Sequence, residues 1–168
     1  MVVTIREIRI KDVEPLIMLM RQIFDESEFM LYDPGEYIPS LERATTKIEK
    51  VITSPHLAIL VAEEDEQLVG YLTIKTKPLK RIKHTANIAM GVLKSHQNRG
   101  IGFELLNHCK TWCQSHDISR IELNVVSANT TAYQFYKKAK FVVEGERRNS
   151  IKINTQYFNE YLMAYLIE

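Results

Sequence analysis

Apolar and polar residues alternate in the opening segment TIREIRI, which predicts a half-buried strand. Asp12 then reads as a helix N-cap with Pro15 in the first turn. Val13, Leu16, Ile17, Met20, Ile23 and Phe24 recur at spacings of three and four, one apolar face of an amphipathic helix. From Ser27 to Pro39 the period is lost, and the segment holds the turn Asp33-Pro34-Gly35 among Phe29, Met30, Tyr32 and Tyr37. Ser40 predicts the cap of a second helix running to about Thr53. LAILVAEE and LVGYLTIK flank a charged turn at Glu64 to Gln67 and read as an antiparallel hairpin. ANIAMGVL is a further strand, and SHQNRGIG leads from it into a helix from Ile101 to Ser115. IELNVV, a helix from about Asn129 to Lys138, and two closing strands in FVVEGERR and YFNEYLMAYLI complete the order βααβββαβαββ. Without a repeat or a linker this predicts one mixed α/β domain (α+β type) over residues 1–168, a central sheet flanked by helices.

Composition narrows the function. Of 168 residues, 45% are apolar and 26% charged, and the formal net charge of +1 gives no field for holding nucleic acid. The one basic run, Lys75 to Lys83, reads as a solvated loop. No apolar run approaches the ~20 residues of a membrane span, and the N-terminus has no long apolar signal core, so a cytoplasmic protein without a membrane partner is expected. Cys109 and Cys113 lie four apart in a predicted helix beside Trp112 and are expected to be free core thiols, with no metal site. The apolar YLMAYLI suggests either core packing or a homodimer surface.

Two motifs carry chemistry. Gln97-Asn98-Arg99-Gly100-Ile101-Gly102 sits between a strand and a helix start, where unpaired N–H groups and a partial positive charge suit a phosphate. Gly100 and Gly102 open the way for close approach, and Arg99 adds charge. The loop has neither the lysine of the P-loop pattern nor the third glycine of the dinucleotide pattern. Downstream, Asn129, Ala132, Tyr133 and Tyr136 share one predicted helix face, with Phe135 and Ala139 to one side. Asn129 is read either as an N-cap only or as a ligand contact.

Strand, Q-x-x-G-x-G, helix, strand and N-x-x-A-x-x-F-Y-x-x-x-x-F, over about Ala86 to Gly145, together resemble the GNAT acetyltransferase superfamily. The resemblance implies a mostly antiparallel sheet in which the strand ending at Val92 is splayed by a bulge from the Leu123–Val125 strand. It implies acetyl-CoA as cosubstrate. The arm would pair with backbone near Met90 and Val92, the pyrophosphate would lie on Gln97, Asn98, Arg99, Gly100, Ile101 and Gly102, Asn129 would bond the arm, and Tyr136 would face the sulfur. Direct attack of a primary amine on the thioester then passes through a tetrahedral oxyanion.

Two positions depart from the family pattern. Lys140 precedes Phe141 where glycine is common, and Ala86 stands where relatives often place a carboxylate base. His84, Glu122 and the loop acids Glu28, Asp33 and Glu36 are the alternatives for the base. Phe29, Tyr32 and Glu36 are expected in the acceptor wall, whose carboxylates suit a cationic acceptor. A small-molecule amine is the expected acceptor, a protein N-terminus or lysine the alternative, and an acyl-CoA sensor without turnover the third reading.

Overall fold

In the computed structural model, which describes residues 2–168, the alternating opening segment forms β1 (Thr4–Glu7) and pairs antiparallel with β2 (Leu57–Glu64). β2 returns into β3 (Gln67–Thr76) through the two-residue turn Asp65-Glu66. Both turn residues have positive φ (48° and 64°), the pairing whose twist matches that of the flanking strands. β4 (Thr85–Val92) follows, then β5 (Arg120–Val126), β6 (Val142–Ile153) and β7 (Gln156–Leu166). The seven strands lie in the order β1-β2-β3-β4-β5-β7-β6, antiparallel throughout except for the parallel pair β4–β5. The helices are α1 (Val13–Glu26), α2 (Leu41–Thr53), α3 (Ile101–Ser115) and α4 (Thr130–Lys138), so the element order is the predicted one.

Adjacent strand residues point to opposite faces, and two neighbouring cross-strand pairs show which helix covers which face. A Cβ on Gly70, opposite Val92, would lie 3.4 Å from Leu105 of α3. A Cβ on Gly91, opposite Tyr71, would lie 2.8 Å from Ile23 of α1. Hence α1 and α3 sandwich the sheet. Of the predicted α1 face, Val13, Leu16, Met20, Ile23 and Phe24 are buried and Leu19 joins them, while α3 buries Ile101, Leu105, Leu106 and the two predicted core thiols, Cys109 and Cys113. The two cysteines are free thiols, fully buried. In β7, Met163 and Ala164 are core residues, so packing accounts for part of the apolar YLMAYLI segment. No helix among the described residues is long and apolar enough to cross a membrane.

Two local expectations are corrected. The Asp12 side chain does not cap α1. It accepts Nη1 and Nη2 of Arg6 at 2.7 and 2.9 Å and the backbone N–H of Arg9 at 2.8 Å. A bidentate arginine outcompetes a helix N–H for a buried carboxylate. Ser40 does cap α2, accepting the N–H of Arg43 at 3.2 Å. No bulge appears in the β3–β4 register, which runs without a shift from Gly70↔Val92 to Thr76↔Ala86.

α4 ends in a Schellman turn: Phe141 N–H reaches Tyr136 O at 2.9 Å and Lys140 N–H reaches Lys137 O at 3.0 Å. The turn places Lys140 at φ 70°, the left-handed region that lysine adopts at a cost. Lys140 is exposed, so its side chain has little to lose. Lys140→Gly should therefore stabilise the fold by about 0.5–1 kcal/mol, the left-handed penalty less the extra chain entropy of glycine. Urea unfolding should show a higher midpoint at unchanged slope, and a lower midpoint would mean that the lysine side chain outweighs its backbone strain.

Candidate active site

β4 and β5 stay paired only over Thr85–Asn87 and Arg120–Glu122, then diverge. What this exposes follows from the ladder. Leu93 N–H bonds Val69 O at 3.0 Å, so in antiparallel alternation residues 93, 91 and 89 turn their backbone groups toward β3. Ile88, Met90 and Val92 turn theirs the other way, into the gap. Gln97 Nε2 donates to Val92 O at 3.2 Å from that side. Met90 and Val92 thus offer an open strand edge to an extended ligand, and the splay arises without a bulge.

The gap widens into a cleft of about 850 Å³, bordered by β4, the loop 94–102, α4 and the segment 26–30 after α1. Gly100 is the N-cap of α3 with φ 82°, and Asn98 also has positive φ at 59°. This backbone turns the free N–H groups of the first helical turn toward the cleft. A Cβ on Gly100 would meet no atom within 4 Å, so its glycine serves conformation and open approach. Gly102 has a different reason. A Cβ there would come within 3.0 Å of the Phe135 ring and 3.3 Å of Met90 Cε, so it is the close packing of α4 on α3 that excludes a side chain. Gln97, Asn98, Gly100, Ile101 and Gly102 all line the cleft.

Arg99 does not line the cleft. Its guanidinium turns back to Glu64 at the end of β2, with Nη2 at 2.5 Å and Nη1 at 3.1 Å from the carboxylate oxygens. Lys94, His96 and Lys138 are the basic residues that border the cleft, and the motif gave no sign of the two lysines.

On α4, Asn129 Oδ1 caps the helix by accepting Ala132 N–H at 3.1 Å, while its side chain also lines the cleft, which accommodates both readings. Ala132, Phe135 and Tyr136 share that strip, but Tyr133 does not. At about 100° per residue a strip centred on Ala132 takes in Phe135 and leaves Tyr133 on its flank. Tyr133 packs instead on Tyr161, with ring centroids 5.2 Å apart. Tyr136 is only 8% exposed, packs edge-on against Phe141, and among the described residues its hydroxyl makes no hydrogen bond. Burial pushes its phenol well above the usual range.

The other face of β3 carries a smaller cavity of about 140 Å³ between α1 and α2, walled by Leu16, Met20, Ile48 and Ile59 and by Tyr37, Tyr71 and Thr73. Arg43 and Lys47, one helical turn apart on α2, stand at its edge, and no carboxylate lies within 4 Å of either among the described residues. Tyr71 lines this cavity, and its ring is 3.1 Å from where a Cβ would sit on Gly91, which itself lines the cleft. Burial raises its phenol well above the usual range, and the nearby phenols of Tyr37 and Tyr136 add to this. Sequence reasoning missed Tyr71, because its place next to Gly91 depends on the β3–β4 register.

Other expected residues fall apart. Phe29 lines the cleft, and so does Glu28. Tyr32 packs with Phe24 and Tyr37 at centroid distances of 5.1 Å each. Glu36 accepts the N–H of Asp33 at 2.8 Å, and Asp25 that of Gly35 at 2.8 Å, so these acids hold their own loop. His84 is exposed at the start of β4, where its carbonyl accepts the N–H groups of Ser119 and Arg120. Six strand residues separate it from Met90, about 20 Å, so it lies beyond reach of chemistry at the open edge. Glu122 is paired to Arg120 at 2.8 Å and Lys77 at 3.6 Å, and Ala86 is fully buried.

The donor groups fit a long ligand with an amide-bearing arm and an anionic diphosphate. The model of the acetyltransferase (GNAT) family matches residues 18–141, which contain both splayed strands, the loop and α4. The L-amino acid N-acetyltransferase AaaT of Escherichia coli (strain K12) is 32% identical over 120 residues, 69% of this chain and 72% of that protein. The crystal structure of a GNAT-family acetyltransferase from Streptococcus pneumoniae superposes with a TM-score of 0.93 at 26% identity, covering 99% of this chain and 100% of that one. A phosphinothricin acetyltransferase from Sinorhizobium meliloti, solved in complex with acetyl-CoA, shares the fold with a TM-score of 0.85 at 13% identity, over 99% of this chain and 89% of that one. The open strand edge, the glycine-bearing helix start and the tyrosine of α4 thus occur in a chain that belongs to the GNAT family and is an acetyl-CoA-dependent acyltransferase.

Proposed function

We propose that this protein transfers the acetyl group of acetyl-CoA directly to the primary amine of a small molecule that also bears a carboxylate, an amino acid or a compound like one. The observation that carries the donor half is the meeting, in one cleft, of the open Met90–Val92 edge and the unbonded hydroxyl of Tyr136. A pantetheine arm added along that edge acts as an extra strand, and the helix start takes its diphosphate. Met90 N–H then faces the growing negative charge on the thioester oxygen.

The acceptor half rests on the smaller cavity. Its apolar wall suits an aliphatic or aromatic side chain, and Arg43 and Lys47 at its edge suit a carboxylate. This departs from the expectation of a cationic acceptor: of the loop acids, Glu36 is engaged in its own loop and Glu28 lines the larger cleft, and neither lines the smaller cavity. The relative that acetylates L-amino acids supports the same class.

Tyr136 is assigned to the leaving sulfur. In water a phenol near pKa 10 facing a thiol near 8.5 makes full proton transfer uphill by roughly 2 kcal/mol. Burial raises the Tyr136 phenol further, so donation of a hydrogen bond to the departing thiolate is its larger part. With His84 remote and Ala86 apolar, the acceptor's ammonium proton leaves through water or the amine arrives neutral.

A panel of amines with acetyl-CoA tests the class. Free L-amino acids should be acetylated in preference to polyamines and to peptide N-termini, and exclusive turnover of peptides would sink the small-molecule reading. With the acceptor found, Arg43→Gln combined with Lys47→Gln should raise its KM about ten-fold, while KM for the corresponding amino-acid amide stays put. Tyr136→Phe should lower kcat by about 10- to 100-fold with KM for acetyl-CoA nearly constant. Unchanged turnover under conditions where chemistry limits the rate would remove Tyr136 from the mechanism.

A further inference from the structure

The arginine of the phosphate loop points away from the ligand side, and its partner explains why. Glu64 ends β2, is only 6% exposed, and has its charge held by Arg99 on both oxygens and by His96 Nε2 at 3.1 Å. Arg99 keeps the Glu64 carboxyl below the usual range, and Glu64 in turn raises the Arg99 guanidinium. Neither Glu64 nor Arg99 lines the cleft, while His96, Gln97, Asn98, Gly100, Ile101 and Gly102 do. Ser95 Oγ lies 2.8 Å from His96 Nδ1, so the loop is tied to Glu64 through two successive side chains and a third behind them. Lys94 N–H bonding Glu26 at 2.8 Å and Gln97 bonding Val92 O pin the start of the same loop.

We propose that Glu64 is a positioning residue for the diphosphate loop. It draws Arg99 and His96 onto the β2–β3 hairpin, and this sets the left-handed turns at Asn98 and Gly100 that aim the free N–H groups at the ligand. Arg99 acts from behind the loop. Residues 97–100 are exposed, and no atom approaches within 4 Å of a Cβ at Gly100, so this stretch has little packing of its own before Ile101 enters the core. A backbone cradle loses affinity when its N–H groups are free to turn away, so the buried carboxylate substitutes for packing.

The proposal gives a sign. If Arg99 is held for positioning, removing Glu64 loosens the loop and weakens acetyl-CoA binding. If Arg99 is instead a phosphate ligand that Glu64 sequesters, removing Glu64 frees it and tightens binding. Calorimetry of the full chain with acetyl-CoA reads this directly and needs no acceptor. Glu64→Ala should raise Kd about ten-fold, and Glu64→Gln, which keeps the shape and some hydrogen bonding, should raise it less. Arg99→Ala should weaken binding by no more than Glu64→Ala, which also loses the His96 contact, and the double variant should be no weaker than Glu64→Ala, because the Arg99 contribution runs through Glu64. Transfer from S-acetylpantetheine, which has no diphosphate, should keep the wild-type rate in all of them. That arm separates loop positioning from general damage to the fold, and the Gln variant covers an Ala variant that does not fold. Tighter binding or an unchanged Kd in Glu64→Ala, additive losses in the double variant, or an equal loss with S-acetylpantetheine would each overturn the proposal. Failure of the wild-type protein to bind acetyl-CoA would instead count against the donor site itself.

Discussion

Everything in this site depends on a row of backbone groups left without a sheet partner. In the middle of a seven-stranded sheet, Ile88, Met90 and Val92 turn their N–H and C=O groups toward β5, and β5 is no longer beside them. Buried backbone groups are nearly always paired, so a strand opened in this way is stable only where water or a ligand can reach it. The molecule holds it open from outside. β4 is bonded to β3 along its whole length, and β5 is bonded to β7 from Arg120↔Leu166 to Val126↔Glu160. Each strand is committed on its outer side, and between them Met90, Gly102 and Phe135 interlock where α3 and α4 begin to enter the gap. The divergence belongs to how the helices pack, which is why it needs no bulge in β4.

The element order and most boundaries were legible because each rests on local chemistry. α3 runs over Ile101–Ser115, from the end of the glycine-bearing loop as predicted, and Ser40 and Asn129 cap the helices they precede. Legibility failed where a side chain had a choice of partners distant in sequence. Asp12 reads as a cap until Arg6 is brought beside it. Arg99 reads as a phosphate ligand until the β2–β3 hairpin brings in Glu64, 35 positions earlier. Tyr133 and Phe135 exchange their expected surroundings because spacing locates a helical face only to within one side chain. Tyr71 carries no motif at all, and only the register that sets it opposite Gly91 makes it part of the site.

Tyr136 shows how one position is fixed by several independent terms. Its ring is clamped by Phe141, and its carbonyl accepts the Phe141 N–H in the Schellman turn, so the residue is held from the side chain and from the backbone together. The strained Lys140 lies inside that same turn, so its cost is borne at the point that anchors the phenol. A ring fixed in this way leaves its hydroxyl little freedom. In the role proposed for it, a hydrogen bond to a departing sulfur would form without first ordering the donor, the condition under which a fixed dipole stabilises a developing charge best.

On the proposed reading the sheet also separates the two reactants, and Gly91 is where the partition is thinnest. Even-numbered residues of β4 face α3 and α4, whereas odd-numbered ones face α1, so a ligand lying along the strand edge is shielded from the acceptor side by the odd side chains. At residue 91 there is none, and a substitution would strike Ile23 and Tyr71. On the proposed reading, an amine entering past Tyr71 meets the thioester where only backbone lies between them. The same missing side chain lets Tyr71 pack close to β4, where the nearby phenol of Tyr136 adds to the burial that disfavours its ionisation. Two neutral phenols on opposite sides of one strand are suited to donating and accepting hydrogen bonds without holding a charge of their own.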